Sequence, residues 1–233
     1  MSRAIRGLGA AACSGFNDGR DAIQTAADIR AGVQALRRKC CAMRRVHDAT
    51  GDPPLRRQAA GFEGLTRIVV AQQLSTASAG AIWGRLAAAI EPLRAEALLQ
   101  ASDDTLKGTG LSRTKIKTLR TIATAVAHND LDLELLAAAS DEAVHQALTR
   151  VSGVGPWTAD IFLMFCLGRR DGFAPGDLAL QVAAQYALGL GHRPDARELL
   201  ELAERWRPWR GVAARLLWAY YRLVKEPRSG APV

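Results

Sequence analysis

The chain is poor in residues that build metal centres and disulfide frameworks. It contains four cysteines and four histidines in 233 residues. The cysteines show no C-x-x-C pair and no clustered spacing, which excludes the usual zinc and iron–sulfur ligand patterns. The simplest interpretation is a set of reduced thiols in a cytoplasmic protein. The cysteines are Cys13, Cys40, Cys41 and Cys166.

Long apolar runs are also missing. No apolar segment reaches the roughly 18–20 residues that a membrane-spanning helix needs, so a membrane is not among the expected partners. The N-terminus carries only a short, glycine-interrupted apolar stretch and resembles a signal peptide faintly. We interpret residues 1–21 as a mobile tail and residues 22–233 as a single domain.

Strand-type alternation of apolar and polar residues is nearly absent, and helical periodicity dominates. Ile116, Leu119, Ile122 and Val126, for example, fall on one face at three- and four-residue steps. The predicted fold class is therefore all-α, a two-lobed helical bundle. Helices are predicted at about 22–45, 60–74, 76–90, 95–100, 103–107, 113–128, 132–138, 141–150, 156–167, 178–188, 195–205 and 210–225.

Residues that favour helix N-caps stand before several of these segments: Ser102, Ser112, Ser140 and Asp195. A Gly-Asp-Pro-Pro cluster at residues 51–54 is typical of a break. It is expected to separate an N-terminal helix from the main body.

Basic residues outnumber acidic ones. The formal net charge is +8 and the sequence pI is about 9.8. Such an excess favours a polyanionic partner, and an anionic membrane surface would fit the charge equally well. Two groups of cations stand out in the sequence. Half of these residues are expected to contact phosphates, and the other half to lie on solvated faces. These groups are Arg113, Lys115, Lys117 and Arg120, and Arg205, Arg207, Arg210 and Arg215.

The most informative segment is a glycine-broken helical pattern. One amphipathic run ends at Val151 and a second begins at Pro156, with Gly153 and Gly155 between them. Glycines allow a tight turn and a close approach of the backbone to another molecule, and proline suits the first position of a helix. The pattern predicts a helix-hairpin-helix over residues 141–167, whose second helix could hold a phosphate at its N-terminus. A plain helical hairpin with a glycine-rich turn is the alternative.

The string Val-Ser-Gly-Val-Gly-Pro-Trp-Thr-Ala at residues 151–159, followed by Pro-Gly-Asp at 175–177, resembles the helix-hairpin-helix (HhH-GPD) DNA glycosylase superfamily. The similarity is nearest to its alkylpurine, or 3-methyladenine DNA glycosylase II, branch and extends over roughly residues 45–225. The resemblance implies double-stranded DNA as the partner. The N-terminal β domain of some members is expected to be absent, because the preceding residues have a helical pattern. No iron–sulfur cluster is expected, because no cysteine follows Cys166.

The resemblance assigns the catalytic carboxylate to Asp177. A fixed carboxylate stabilises the positive charge that develops on a sugar during glycosidic cleavage and can orient a water molecule. The structural alternative is an N-cap for the following helix, which is compatible with catalysis. In bifunctional members a lysine occupies the position of Trp157, so the resemblance implies a monofunctional enzyme with water as nucleophile.

Three further residues match base-pocket positions of the branch. Trp157 and Trp218 would offer indole faces that attract electron-poor or cationic rings. Both also suit an ordinary core, Trp218 especially. Ile161 stands where some relatives have a tyrosine, which predicts a narrower substrate range.

The remaining matches concern DNA and a cation. The resemblance places Gln73, with Leu74 beside it, as a wedge that fills the gap left by an extruded nucleotide. A helix–helix turn with solvated amides is the alternative. Backbone carbonyls of Thr149, Val151 and Val154 would bind a monovalent cation, and no other cofactor is expected. Further DNA contacts are assigned to Gly153, Gly155, Thr158, Ser112 and Lys115.

The resulting hypothesis is a monomeric glycosylase for base excision repair. It would flip alkylated purines, such as 3-methyladenine or 7-methylguanine, out of double-stranded DNA and hydrolyse the N-glycosidic bond. One alternative is the same chemistry on another lesion. The other is a non-catalytic helix-hairpin-helix DNA-binding module, which would need neither Asp177 nor the tryptophans.

Overall fold

The computed structural model describes residues 22–225, so the predicted tail at residues 1–21 lies outside the described residues. Within them the chain forms thirteen α-helices, with a π-helical segment at Phe162–Cys166 and a 3-10 turn at Glu204–Trp206. The helices are α1 (Ala26–Lys39), α2 (Cys41–Thr50), α3 (Phe62–Ala71), α4 (Thr76–Ala89), α5 (Ala95–Gln100), α6 (Asp103–Gly108), α7 (Arg113–Ala127), α8 (Leu133–Ala138), α9 (Asp141–Thr149), α10 (Pro156–Ile161), α11 (Leu178–Leu188), α12 (Ala196–Ala203) and α13 (Arg210–Lys225).

The fold class is all-α, as predicted. Among the described residues the only strand-like pairing is an isolated bridge between Ala22 and Arg169. None of the helices in residues 22–225 has the length and apolar character needed to cross a membrane.

The predicted helix starts are confirmed by their hydrogen bonds. The side chains of Ser102, Ser112, Ser140 and Asp195 each accept from a backbone N–H three residues further on. Each cap satisfies a donor that has no partner within its own helix.

The predicted single helix at 22–45 is wrong. Cys40 has an extended backbone, with φ −140° and ψ 112°, and separates α1 from α2. No proline or glycine marks this break. The two helices instead turn so that both can pack on α13. Tertiary packing outweighs the helical preference of one residue here.

The N-terminal helices are not separated from the main body. Helices α1 and α2 pack against α13, and α2 also packs against α11, so the two ends of the described chain build one lobe. Helices α3 to α7 form the other lobe. The α9–α10 hairpin lies against α3 and the π-helical segment.

The predicted helix at 156–167 changes character after Ile161. Its π-helical second half is held by partners outside the helix. The carbonyls of Leu163, Met164 and Phe165 accept from Arg169 N (2.9 Å), Arg215 Nη2 (2.9 Å) and Gln58 N (3.0 Å). Such single-turn π segments occur often at functional sites.

Candidate active site

Asp177 lies at the junction of three elements. It caps α11 by accepting from Leu180 N at 3.0 Å. Its Oδ1 also accepts from Trp218 Nε1 of α13 at 3.1 Å, and its Oδ2 accepts from Trp157 Nε1 of α10 at 2.8 Å. Three N–H donors therefore surround one carboxylate and stabilise its charged form. An ionised carboxylate has about four acceptor positions, so one remains for a water molecule.

The two tryptophans predicted for a base pocket thus meet at the predicted catalytic residue. Both are half-buried, and their N–H edges point to Asp177. This arrangement brings together residues that are 20 and 41 positions from Asp177 in the chain. Ile161 is buried one turn after Trp157.

Phe165 and Arg215 support Trp218 from behind. The Phe165 ring lies 5.6 Å from the Trp218 ring, and the Arg215 guanidinium lies 4.6 Å above the Phe165 ring. Arg215 is only 4% exposed, donates to the carbonyls of Gly211 and Met164, and has its pKa lowered to about 10 by burial and by Arg57 and Arg56. This support was not predicted from the sequence, which placed Arg215 only in a group of cations. The available sequence signal for this buried arginine was its place within the otherwise apolar run Val212–Leu217.

The hairpin turn uses its two glycines differently. Gly153 has φ +89°, and a Cβ there would collide with the Thr118 side chain of α7. Gly155 is the N-cap of α10 and is exposed, and a Cβ there would meet nothing within 4 Å. Pro156 opens α10 as predicted. Gly153 therefore allows the turn to pack, while Gly155 leaves the helix N-terminus accessible to an anion.

The carbonyls proposed for a monovalent cation flank this turn. Val154 N donates to Val151 O at 3.0 Å, which leaves the second lone pair of that oxygen available. Neutral carbonyl oxygens are the donor type that binds monovalent cations. Thr149, Val151 and Val154 thus fit such an ion, whose binding stays a prediction.

The turn between α3 and α4 (residues 72–75, called the wedge turn below) exposes the predicted wedge. Gln73 has a left-handed backbone with φ +56°, and its side chain is exposed. Leu74 is 40% exposed. Ser75 ends the turn by capping α4. Both candidate wedge residues are therefore free to enter a duplex.

Thr158 and Lys115 do not point to solvent as DNA contacts would. Thr158 is 2% exposed, and its hydroxyl accepts from Gln72 Nε2 at 2.8 Å. Lys115 Nζ donates to Val70 O at 2.7 Å and to Gln72 O at 2.8 Å, and burial lowers its pKa. Both residues contact the wedge turn. Ser112 is exposed and caps α7.

Most residues of the two cation groups, expected in part to contact phosphates, have partners within the protein. Arg120 donates to the carbonyls of Leu99 and Ala101 and to Asp103, and Arg210 pairs with Asp171 and Glu204. Arg207 pairs with the same two carboxylates as Arg210. Within residues 22–225, the exposed cations of the two groups that show no hydrogen bond or ion pair are Arg113, Lys117 and Arg205.

One titratable pair joins the two helices of the hairpin. His145 Nε2 of α9 lies 3.6 Å from Asp160 Oδ1 of α10. Burial raises the pKa of Asp160 to about 7, an effect that Arg210 partly offsets. The Asp160 carboxyl is therefore expected to gain or lose its proton near neutral pH.

Comparison with known proteins identifies the family. Residues 66–208 match the family described as "HhH-GPD superfamily base excision DNA repair protein". The chain belongs to this superfamily.

The names of its curated relatives refer to DNA glycosylases, a glycosidase-like protein or DNA repair. It is 26% identical over 175 residues to the "Alkylbase DNA glycosidase-like protein mag2" of Schizosaccharomyces pombe, covering 72% of this chain and 81% of the relative. "DNA-3-methyladenine glycosylase 1" of the same yeast is 29% identical, with 73% and 77% covered. The "Probable bifunctional transcriptional activator/DNA repair enzyme AlkA" of Mycobacterium tuberculosis is 31% identical over 67% of this chain. The chain spans only 32% of that longer protein.

Solved structures with glycosylase names also resemble this chain. A DNA-3-methyladenine glycosidase from Bacillus halodurans superposes with a TM-score of 0.71 at 31% identity, covering 84% of this chain and 91% of that one. The S. pombe 3-methyladenine DNA glycosylase (Mag1), in complex with abasic DNA, gives 0.73 at 25% identity, with 84% and 96% covered.

Proposed function

We propose that this protein is a monofunctional DNA glycosylase that excises alkylated purines, including 3-methyladenine and 7-methylguanine, from double-stranded DNA. The observation that carries the proposal is the convergence of Trp157 and Trp218 on the Asp177 carboxylate. The relatives named as 3-methyladenine glycosylases support the substrate class.

Asp177 would act on the sugar. As the glycosidic bond lengthens, its electron pair moves to the base and positive charge develops on the deoxyribose. The carboxylate stabilises that charge, and its remaining acceptor position orients the water that attacks C1′. The water's proton passes to the carboxylate or to solvent as the new C–O bond forms. The products are a free base and an abasic site.

The base would leave without a general acid. An alkylated purine that is already cationic becomes neutral when it receives the bond's electron pair. The indole faces of Trp157 and Trp218 attract such a ring before cleavage. Because a cationic base leaves as a neutral molecule, a single catalytic carboxylate is enough for cleavage.

Water, not an amine, is the proposed nucleophile. Trp157 occupies the position that holds a lysine in bifunctional relatives, and its N–H donates to Asp177. Lys115, the cation next to the wedge turn, has its Nζ on two backbone carbonyls. The reaction is therefore expected to stop at the abasic site.

DNA would bind across the hairpin and the wedge turn. The exposed N-terminus of α10 at Gly155 would hold a phosphate, and Gln73 and Leu74 would enter the stack as the damaged nucleotide leaves it. Thr149, Val151 and Val154 would hold a monovalent cation that strengthens the local attraction for a phosphate.

The decisive experiment follows base release from duplexes that each carry one defined lesion. We expect 3-methyladenine to be released by the wild-type protein, and borohydride to trap no covalent protein–DNA adduct. Strand breaks should appear only after alkali or heat. DNA binding without release of any base would favour the non-catalytic module, and a trapped adduct would rule out water as the nucleophile.

A further inference from the structure

The wedge turn has a backbone conformation that needs external support. Gln73 lies in the left-handed region at φ +56°, where a residue other than glycine is strained. The helix that precedes it, α3, ends at Ala71 and leaves carbonyls without partners in the helix. Neither Gln73 nor Leu74 is buried, so their own packing does not hold the turn.

Lys115 supports the turn from α7. Its Nζ donates to Val70 O at 2.7 Å and to Gln72 O at 2.8 Å. The first of these carbonyls belongs to the end of α3, where a positive charge is also favourable to the helix dipole. One ammonium group thus fixes the last turn of α3 and the residue just before Gln73.

Gln72 connects the turn to α10. Its Nε2 donates to the Thr158 hydroxyl at 2.8 Å. Thr158 is 2% exposed in the first turn of α10, directly after Trp157. The hydrogen bond therefore connects the wedge turn to the helix that carries a wall of the base pocket.

We propose that Lys115 and the Gln72–Thr158 pair are positioning residues that hold the wedge turn ready to enter the duplex. The inference rests on the proposed function, in which this turn replaces an extruded nucleotide. Lys115 then acts through the turn and not through a DNA phosphate, which revises its expected role as a direct DNA contact.

Lys117 provides a natural comparison on the same helix. Two residues correspond to about 200° of rotation around an α-helix, so Lys117 faces away from the wedge turn. Its side chain is exposed and has no hydrogen-bond or ion-pair partner among residues 22–225. A lysine in this situation is free to meet a phosphate, whereas Lys115 would have to leave two carbonyls.

The first test compares Lys115→Met with Lys117→Met on two duplexes of one sequence, one undamaged and one that carries a lesion. Affinity for undamaged DNA is measured over a range of salt concentrations, because each phosphate contact contributes about 0.9 to the slope of log K against log salt. Base opening is measured at saturating protein from the fluorescence of 2-aminopurine placed opposite the lesion.

We expect Lys115→Met to keep the salt slope of the wild type and to reduce the fluorescence increase about tenfold, since it removes hydrogen bonds from a charged donor. Lys117→Met should lower the salt slope by about 0.9 and retain the fluorescence increase at saturation. A lowered salt slope with normal fluorescence in Lys115→Met would overturn the inference.

Thr158→Val supplies an independent variant of nearly equal volume, and it decides the question should Lys115→Met fail to fold. It removes the acceptor of the Gln72 amide and is expected to reduce the fluorescence increase without changing the salt slope. Thr121→Val is the matched control, because the Thr121 hydroxyl donates only to a carbonyl of its own helix α7, Lys117 O at 3.0 Å. Wild-type fluorescence in Thr158→Val would contradict the inference. Because 2-aminopurine reports opening without bond cleavage, absence of base release by the wild type would refute the proposed function separately.

Discussion

At the scale of single residues, the Asp177 carboxylate accepts one N–H bond from the helix it caps and two from tryptophans of other elements. The sequence allowed each of the three residues to be predicted, by motif and by capping preference. It could not predict that both indole N–H groups converge on one carboxylate, because that depends on how α10 and α13 are placed. The Arg215–Phe165–Trp218 stack was missed for the same reason.

Asp177→Asn is expected to lower the single-turnover rate of base release by more than about tenfold, or ~1.4 kcal/mol in activation free energy. The substitution removes the charge that opposes the developing cation. It also turns an amide N–H₂ towards one indole N–H, so it removes the hydrogen bond to that tryptophan as well.

Trp157→Phe separates the loss of the carboxylate charge from the loss of a tryptophan hydrogen bond. It removes one N–H donor and keeps the carboxylate, so we expect a loss of about fivefold, the value of one hydrogen bond near 1 kcal/mol. Rates of both variants are compared at saturating protein on a 3-methyladenine duplex. Retention of more than a tenth of the wild-type rate by Asp177→Asn would mean that another group provides the catalytic charge.

Asp160 is expected to make stability depend on pH. Its pKa is raised by burial from 3.8 to about 7 in the folded state. Between these values the folded protein binds more protons than the unfolded chain, so the free energy of unfolding falls as pH rises through this window. Asp160→Asn should therefore lose less stability than the wild type between pH 5 and pH 8 in denaturant titrations.

Two controls accompany this measurement. His145→Gln removes the titratable partner 3.6 Å from Asp160, and Asp104→Asn alters an exposed carboxylate. A pH dependence that is identical in Asp160→Asn and the wild type would show that Asp160 is charged throughout the range.

At the scale of elements, the hairpin was the most predictable part of the fold. Glycine spacing, Pro156 and the Ser140 cap marked α9, the turn and the start of α10. The π-helical segment could not be predicted, because two of its carbonyl partners, Gln58 and Arg215, are far away in sequence. Helical periodicity alone does not show where a helix will widen.

The two hairpin glycines should respond differently to alanine. Gly155→Ala places a methyl group in open space at the N-terminus of α10, so it should fold normally and weaken binding to lesion-free and lesion-bearing duplexes equally. Gly153→Ala requires an alanine at φ +89° against Thr118, so it should lower the free energy of unfolding by more than about 1 kcal/mol. Binding assays test the expectation for Gly155→Ala, and denaturant midpoints test the expectation for Gly153→Ala. Loss of lesion-specific binding alone in Gly155→Ala would place this turn in the base pocket.

The partners of the basic residues give a further prediction for α7. Arg113→Ala should reduce the salt slope of DNA binding by about 0.9 and leave stability unchanged, since the Arg113 side chain is exposed and has no hydrogen-bond or ion-pair partner within residues 22–225. Arg120→Ala should instead lower stability, because the guanidinium bonds two carbonyls at the end of α5 and Asp103. Salt titrations and denaturation curves of the two variants should show opposite patterns. A salt slope that is equal in Arg113→Ala and the wild type would remove this residue from the DNA-binding surface.

At the scale of the whole molecule, the ends of the described chain meet around the helix that carries Trp218. The break at residues 51–54 was predicted to set the N-terminal helix apart, yet α1 and α2 pack on α13. Chain breaks are visible in sequence as glycine and proline, but which side of a break packs on which helix is decided by complementary surfaces. The sequence therefore allowed the helices to be predicted more completely than their arrangement.

Gly32 tests this arrangement through the contact of α1 with α13. A Cβ at Gly32 would lie 2.6 Å from Val212 Cγ2 and 2.7 Å from Trp209 Cε3. Alanine is the better helix former by up to about 1 kcal/mol, but this collision forces the two helices apart and overpacking typically costs about 1–3 kcal/mol. We expect Gly32→Ala to lower the free energy of unfolding.

Gly84 is the matched control, since it is also a helical glycine and a Cβ there would meet nothing within 4 Å. Gly84→Ala should raise the free energy of unfolding by up to about 1 kcal/mol through helix propensity alone. Denaturant midpoints of the two variants should therefore shift in opposite directions. A stabilising shift in Gly32→Ala would mean that α1 does not pack closely on α13, and that Trp218 is positioned without the N-terminal helices.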